Sequence, residues 1–277
     1  MGKVLKIREP AVAGLFYPAD KVKLEKEIAL FLEKSPIYDG CERIYGLAAP
    51  HAGYIYSGGV AAQAYRQLMG KSFDVVVVIS PSHTVYFNKI SVYNGDAYRT
   101  PLGDISIDQE LAWEICERNP KIELSGLGHD GEEHALEVQL PFLQYVLNGF
   151  KLLPIVMGDQ SLLNIDILSD ALVHTLKDRN ALIVASSDLS HFHDYETAVE
   201  LDQRVVGAIN IFNEDKLYDE LRNDKCEMCG GGPVIATMKA CKKLGANKSK
   251  VLTYRNSGDV TGDRSRVVGY LSALFYK

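Results

Sequence analysis

No stretch of the 277-residue sequence holds the roughly eighteen uninterrupted apolar residues that a bilayer span requires, so no membrane association is expected. A long basic run is also missing, and 30 Lys and Arg stand against 36 Asp and Glu. The resulting charge of -6 predicts no nucleic-acid partner. The opening MGKVLKIREPAVAG lacks the apolar segment of a secretory signal, which makes the cytoplasm the expected compartment. Five cysteines form no recognisable disulfide framework, so reduced thiols are expected. Cys226-x-x-Cys229 has no second such pair to complete a zinc ribbon. Walker A, G-x-S-x-G and H-E-x-x-H motifs are all lacking, which argues against a P-loop nucleotide enzyme, an α/β-hydrolase and a zincin. Internal repeats, low-complexity tracts and linker-like segments are absent too, so one domain spanning 1–277 is favoured over two.

What is present is an ordinary globular composition, 47% apolar and 24% charged, with strands and helices in alternation. DKVKLEKEIALFLEK spaces Leu24, Ile28, Phe31 and Leu32 along one helical face, with Asp20 as cap. IYGLAAP reads as a buried strand and GGVAAQAYRQLMG as a helix, which puts His51 in the connection between them. FDVVVVISPSH is a β-branched strand stopped by Pro81 and followed at once by His83. KISVYNGDAYRTPLGDISID reads as extended segments around Asn94-Gly95, and Asp108 caps a helix over QELAWEICER. EEHALEVQLPFLQYVLN is helical in period, and Pro141 within it predicts a kink or break. ALIVASSD is a further buried strand leading into LSHFHD, and Pro233 suits the first turn of a helix after CGGG. This alternation predicts a layered α/β fold.

In open α/β sheets, ligands gather beyond the carboxyl ends of the strands, because loops and helix amino termini converge there. His51, His83 and His191 all have that address, which favours one shared site over three separate loop histidines. Cys229 precedes a predicted helix start, where the dipole favours a thiolate able to bind metal. Two imidazoles and a thiolate suit copper, iron(II) or zinc and do not suit magnesium or calcium. His134 and Glu137, three residues apart, are expected to share a helical face lining the crevice or the surface. Asp188, within SSDLSH, is read as an orienting carboxylate or a satisfied loop residue. CGGGP, with Gly230 at its head, offers backbone N–H groups as a possible anion cradle.

AVAGLFYPAD, APHAGYIYSG, SPSH, DGEEHALEVQLPFL, SSDLSHF, CGGGP and GYLSALF together resemble the Memo family, in order and across nearly the whole chain. The family is similar in fold to the class III, LigB-type extradiol dioxygenases, and the resemblance implies a central mixed β-sheet flanked by helices. It also implies His51, His83 and Cys229 as metal ligands, with Cys229 where the dioxygenases carry glutamate. His191 matches their acid/base histidine, and His134 matches a further pocket position. Animal members are implicated in copper or iron binding, redox chemistry and phosphotyrosine-peptide binding. They carry tryptophan at the position of Phe16, a pocket position here, and basic residues at Gly231 and Gly232. Prokaryotic members are similar to a protein that accompanies AMMECR1-type and radical S-adenosylmethionine proteins, which implies such partners. The functions in view are therefore an iron- or copper-dependent redox enzyme, a binding module that uses the pocket for a peptide or partner, and a metallo-hydrolase.

Overall fold

The computed structural model describes residues 4–277. Among them, a nine-stranded mixed sheet forms the centre, and a small three-stranded sheet of Ile7–Arg8, Ala97–Thr100 and Gly103–Ser106 lies apart from it. Four parallel strands occupy the middle of the large sheet, in the order Ile44–Ala49, Ala181–Ser186, Val75–Pro81, Lys151–Met157. Val267–Tyr276 runs antiparallel beside Ile44–Ala49 and pairs on its other side with Lys248–Asn256. Ile90–Tyr93 and Ile122–Ser125 complete the opposite edge. The α/β class expected from the alternation of elements, with the mixed sheet that the family resemblance implies, is what the chain adopts.

Burial on both faces explains why the central strands are unbroken apolar runs rather than alternating ones. In Val75–Pro81 every residue is buried. Val75, Val77 and Ile79 face one core, whereas Val76 and Val78 face the other. The first core is covered by the helices Gln109–Cys116, Leu162–Leu176, Tyr195–Asn210 and Gly231–Leu244, and the second by Lys21–Glu33, Tyr54–Tyr65 and Leu140–Val146. Caps set several of these helices: Asp20 accepts from Lys23 N at 2.9 Å and Asp108 from Leu111 N at 3.2 Å.

Two local expectations change. The helix after His51 begins at Tyr54, earlier than the glycines that seemed to open it. The segment from Glu132 is not a kinked helix. Residues 132–136 are non-helical, a 3-10 turn spans Glu137–Gln139, and the α-helix Leu140–Val146 starts with Pro141 in its first turn, where the missing N–H costs nothing. His134 and Glu137 therefore share no helical face. Glu137 turns away and is buried against Arg8, with its carboxylate accepting from Ala11 N at 2.8 Å and Val12 N at 3.0 Å. Among the described residues, no helix is long and apolar enough to cross a membrane.

Candidate metal centre

Three adjacent parallel strands deliver the site. His51 lies just past the end of Ile44–Ala49, His83 just past Val75–Pro81, and Asp188 just past Ala181–Ser186, which sits between the other two. Cys229 comes from the turn before the helix Gly231–Leu244. Donor atoms of His51, His83 and Cys229 all lie within 4.8 Å of one another. The His51 and His83 ring centroids are 5.1 Å apart, and His51 Nε2 is 3.2 Å from Cys229 Sγ. Residues separated by up to 178 positions thus meet in one cluster.

His134 adds a third imidazole. Its ring stacks on His83 at 5.1 Å with an interplanar angle of 15°, and Phe16 packs against its other neighbourhood at 4.7 Å. A second set of donors, His83, Glu133 and His134, also satisfies simple metal-ligand spacing. The hydrogen bonding differs between the two sets. Glu133 Oε1 already accepts from His83 Nδ1 at 3.1 Å, His134 N at 2.9 Å and Ala135 N at 3.0 Å, while Oε2 accepts from His83 N. A carboxylate so engaged orients His83: it holds Nδ1–H and leaves Nε2 unbound by Glu133, the arrangement seen for outer partners of ligating histidines. Burial pushes the Glu133 carboxyl up, but hydrogen bonds from His83 and Ala135 outweigh it and bring the pKa down to about 2.

Asp188 works mainly through its position. Its Oδ1 accepts from His51 N at 2.8 Å, and its own backbone N–H donates to Cys229 Sγ at 3.2 Å. Burial raises its carboxyl pKa to about 7, against the opposing pull of the His51 and Ala52 N–H groups. His51 is held well below the usual imidazole range, first by burial and then by the neighbouring His83, His134 and His191. Burial likewise lowers His191 and His134. The Cys229 thiol departs from expectation: burial, reinforced by the Asp188 charge, pushes it up to about 12, overriding the helix-start effect that predicts a ready thiolate.

The glycine run is also not an anion cradle. Gly230 N donates to Ser187 Oγ at 2.9 Å and Gly232 N to Gln160 Oε1 at 2.7 Å, so two of the donors that would meet an anion are already engaged. Gly230 is required for packing, because a Cβ there would lie 2.3 Å from the Ser186 carbonyl oxygen. His191 stands at the edge of a cleft of about 590 Å³ that also reaches Cys229, with Leu189, Tyr218, Met228 and Ile235 among its walls. Phe192, next in the chain, is 60% exposed and takes φ 64°, a left-handed conformation uncommon for an aromatic residue. Two of the remaining histidines have other partners: His129 bonds Tyr98 Oη at 2.6 Å and His193 pairs with Glu227 at 2.9 Å.

Sequence reasoning did not identify Glu133, Ser186 and Gln139 as supports of the cluster. The acid beside His134 in EEHALE was a visible signal for Glu133, whereas nothing in the sequence pattern distinguishes Ser186 or Gln139.

An α/β protein with a His-His-Cys donor cluster at the carboxyl ends of its central strands is the class that the fold and the site define. Comparison with known proteins narrows it. A model of the family described as Memo-like protein matches residues 8–274. A MEMO1 family protein of Methanobrevibacter smithii is 40% identical, aligned over 97% of this chain and 99% of its own length. Those of Methanocaldococcus jannaschii, at 41% over 97% and 99%, and Aquifex aeolicus, at 41% over 98% and 100%, are similarly related. The chain belongs to the Memo family. In fold it is similar to an uncharacterized protein of Escherichia coli K12, with TM-score 0.54 and 13% identity over 83% of this chain and 99% of that one.

Proposed function

We propose that this chain is a metal-dependent redox protein of the non-haem iron or copper type, with His51, His83 and Cys229 as ligands. The observation that carries this reading is the convergence of one sulfur and two imidazole donors within 4.8 Å, each braced by a separate buried group. The donor set fits: imidazole and thiolate together suit iron(II), copper and zinc, and of these iron and copper change oxidation state. When bound, such an ion supplies one-electron chemistry beside the cleft.

The chain's own residues do the rest. The Asp188 N–H is aimed at Sγ and favours the charged sulfur that a ligand must become, while Glu133 and Ser186 hold the two imidazoles in place. A substrate in the cleft meets an apolar wall from Leu189, Tyr218 and Met228. His191 lines that cleft, and burial lowers its imidazole below the usual range, the role assigned to it being to take a proton from that substrate. Metal analysis after anaerobic purification tests the reading. The wild-type chain is expected to retain near-stoichiometric iron or copper, with strong loss in His51→Ala and Cys229→Ala. Undiminished metal in both variants eliminates the centre.

A second reading, a docking surface for a partner protein, is favoured by a separate observation. Leu15, Ile55, Tyr86 and Phe192 are each at least 60% exposed and lie within four residues of Phe16, His51, His83 or His191. An AMMECR1-type or radical S-adenosylmethionine protein is the partner proposed for it. Binding that survives a chelator supports this reading, and loss of binding on chelation contradicts it.

A further inference from the structure

The buried surroundings of His51 determine more than its location. Its Nδ1 is 2.9 Å from Ser186 Oγ, and a hydroxyl in principle either donates to that nitrogen or accepts from it. The other partners of Ser186 remove the choice. Its single hydrogen goes to the Ala135 carbonyl oxygen, 2.6 Å away, which can only accept. One lone pair receives Gln139 Nε2 at 2.8 Å. Gln139 cannot be reversed, because its Nε2 also donates to the Pro50 carbonyl at 2.9 Å and its Oε1 accepts from Tyr65 Oη at 2.6 Å. What remains on Ser186 is an acceptor facing His51.

We propose that Ser186 is a positioning residue that fixes His51 in the Nδ1–H tautomer, so that the bare Nε2 faces Cys229 Sγ. Ala135 and Gln139 set the direction of the hydroxyl, and Tyr65 sets the direction of Gln139. The thiol is compatible with this arrangement, since Sγ lies 3.2 Å from Nε2, nearer than the Asp188 carbonyl oxygen at 3.6 Å that is its other acceptor. Ser186 and Gln139 are 0% and 1% exposed, so water does not compete for these bonds. In water a histidine side chain prefers the opposite tautomer, with the hydrogen on Nε2, where it would block a metal. The network thus prepares His51 for ligation before any ion arrives.

The proposal rests on the metal-centre reading, and its test separates the two. Protein labelled with 15N-histidine and kept free of metal is examined by two-bond 1H–15N correlation spectra at neutral pH, with His51→Asn to assign the resonance. The wild type is expected to show the Nδ1–H pattern at residue 51. Ser186→Ala should move it toward the Nε2–H pattern and weaken Zn(II) binding, read by competition with a chromophoric chelator, by about 10- to 100-fold. Ser186→Thr, which keeps the hydroxyl, should retain the wild-type tautomer. An Nε2–H pattern in the wild type overturns the proposal without any variant, and so does an unchanged Nδ1–H pattern in folded Ser186→Ala. Failure of the wild type to bind Zn(II) defeats the metal centre and leaves the tautomer result standing.

Discussion

Replacing Glu133 by glutamine keeps the shape of the side chain and removes the charge that four N–H groups now address. Its carboxyl pKa falls from 4.5 to about 2, so the folded state prefers the ionised form by roughly 3 kcal/mol, at 1.36 kcal/mol per pH unit. The group is 2% exposed, so solvent screening takes little from that figure. The sign follows from the direction of the shift. A depressed carboxyl stabilises the fold above its unfolded pKa near 4.5, and the contribution is lost as pH falls through 2. Glu133→Gln should therefore cost about 3 kcal/mol at pH 7, narrowing to about 2 kcal/mol at pH 3.5. An unfolding entropy near 2.1 cal/mol/K per residue gives about 0.6 kcal/mol/K for a chain of this length, hence a melting point lower by about 5 °C. Scanning calorimetry of the metal-free proteins at both pH values is the assay. Chelator competition should also show metal affinity about 10- to 100-fold weaker, because His83 loses the acceptor that holds its Nδ1–H. A melting point within 1 °C of wild type at pH 7 would refute the claim that Glu133 is held as an ionised orienter.

Two further substitutions probe the supports. Gly230→Ala forces a Cβ to within 2.3 Å of the Ser186 carbonyl oxygen, so one strand end or the turn must shift. A loss of about 1–3 kcal/mol in urea unfolding is expected, with reduced metal uptake. Gly231→Ala meets only the Leu221 side-chain tip at 2.7 Å and serves as the milder comparison; equal effects would contradict the packing argument. Arg8→Met strands the Glu137 carboxylate in the interior, where the two side chains are 3% and 0% exposed, and should cost about 3–5 kcal/mol by the same assay. A cost below 1 kcal/mol would show that the buried pair is not held as described.

The fold class and the main strands were legible because burial on both faces writes continuous apolar runs, as in Val75–Pro81, and because Asp20 and Asp108 mark helix starts. His51, His83 and Cys229 were legible by address, following strand ends or preceding a helix. What the sequence could not reveal was that Ala181–Ser186, late in the chain, inserts between Ile44–Ala49 and Val75–Pro81. Strand order depends on how helices cover the sheet, and period-two patterning carries no information about neighbours. The break at 132–136 was missed for a related reason. Its residues have helical spacing, but the Glu133 carboxylate captures the N–H groups of His134 and Ala135, and a side chain that does so competes with the helix for its first donors.

That competition links the edge of the fold to its centre. The segment 133–139 supplies the acceptor for His83, the carbonyl that directs Ser186, and the amide that completes its bonds. Being non-helical at its start, it has few backbone bonds to hold its shape, Val138 N to the His134 carbonyl at 3.0 Å and Gln139 N to the Leu136 carbonyl at 3.2 Å. Arg8, on the small sheet, does so from outside: it donates to the Glu133 carbonyl, to the Glu137 carboxylate, and through Nε at 2.9 Å to the His129 carbonyl. A guanidinium suits this task because its planar fork reaches several acceptors in fixed geometry. Lysine at position 8 would keep the charge and lose the fork. If Arg8 braces the cluster, Arg8→Lys should lower metal affinity by a larger factor than its stability loss alone implies, and rigid-body loss of fold would instead move both together.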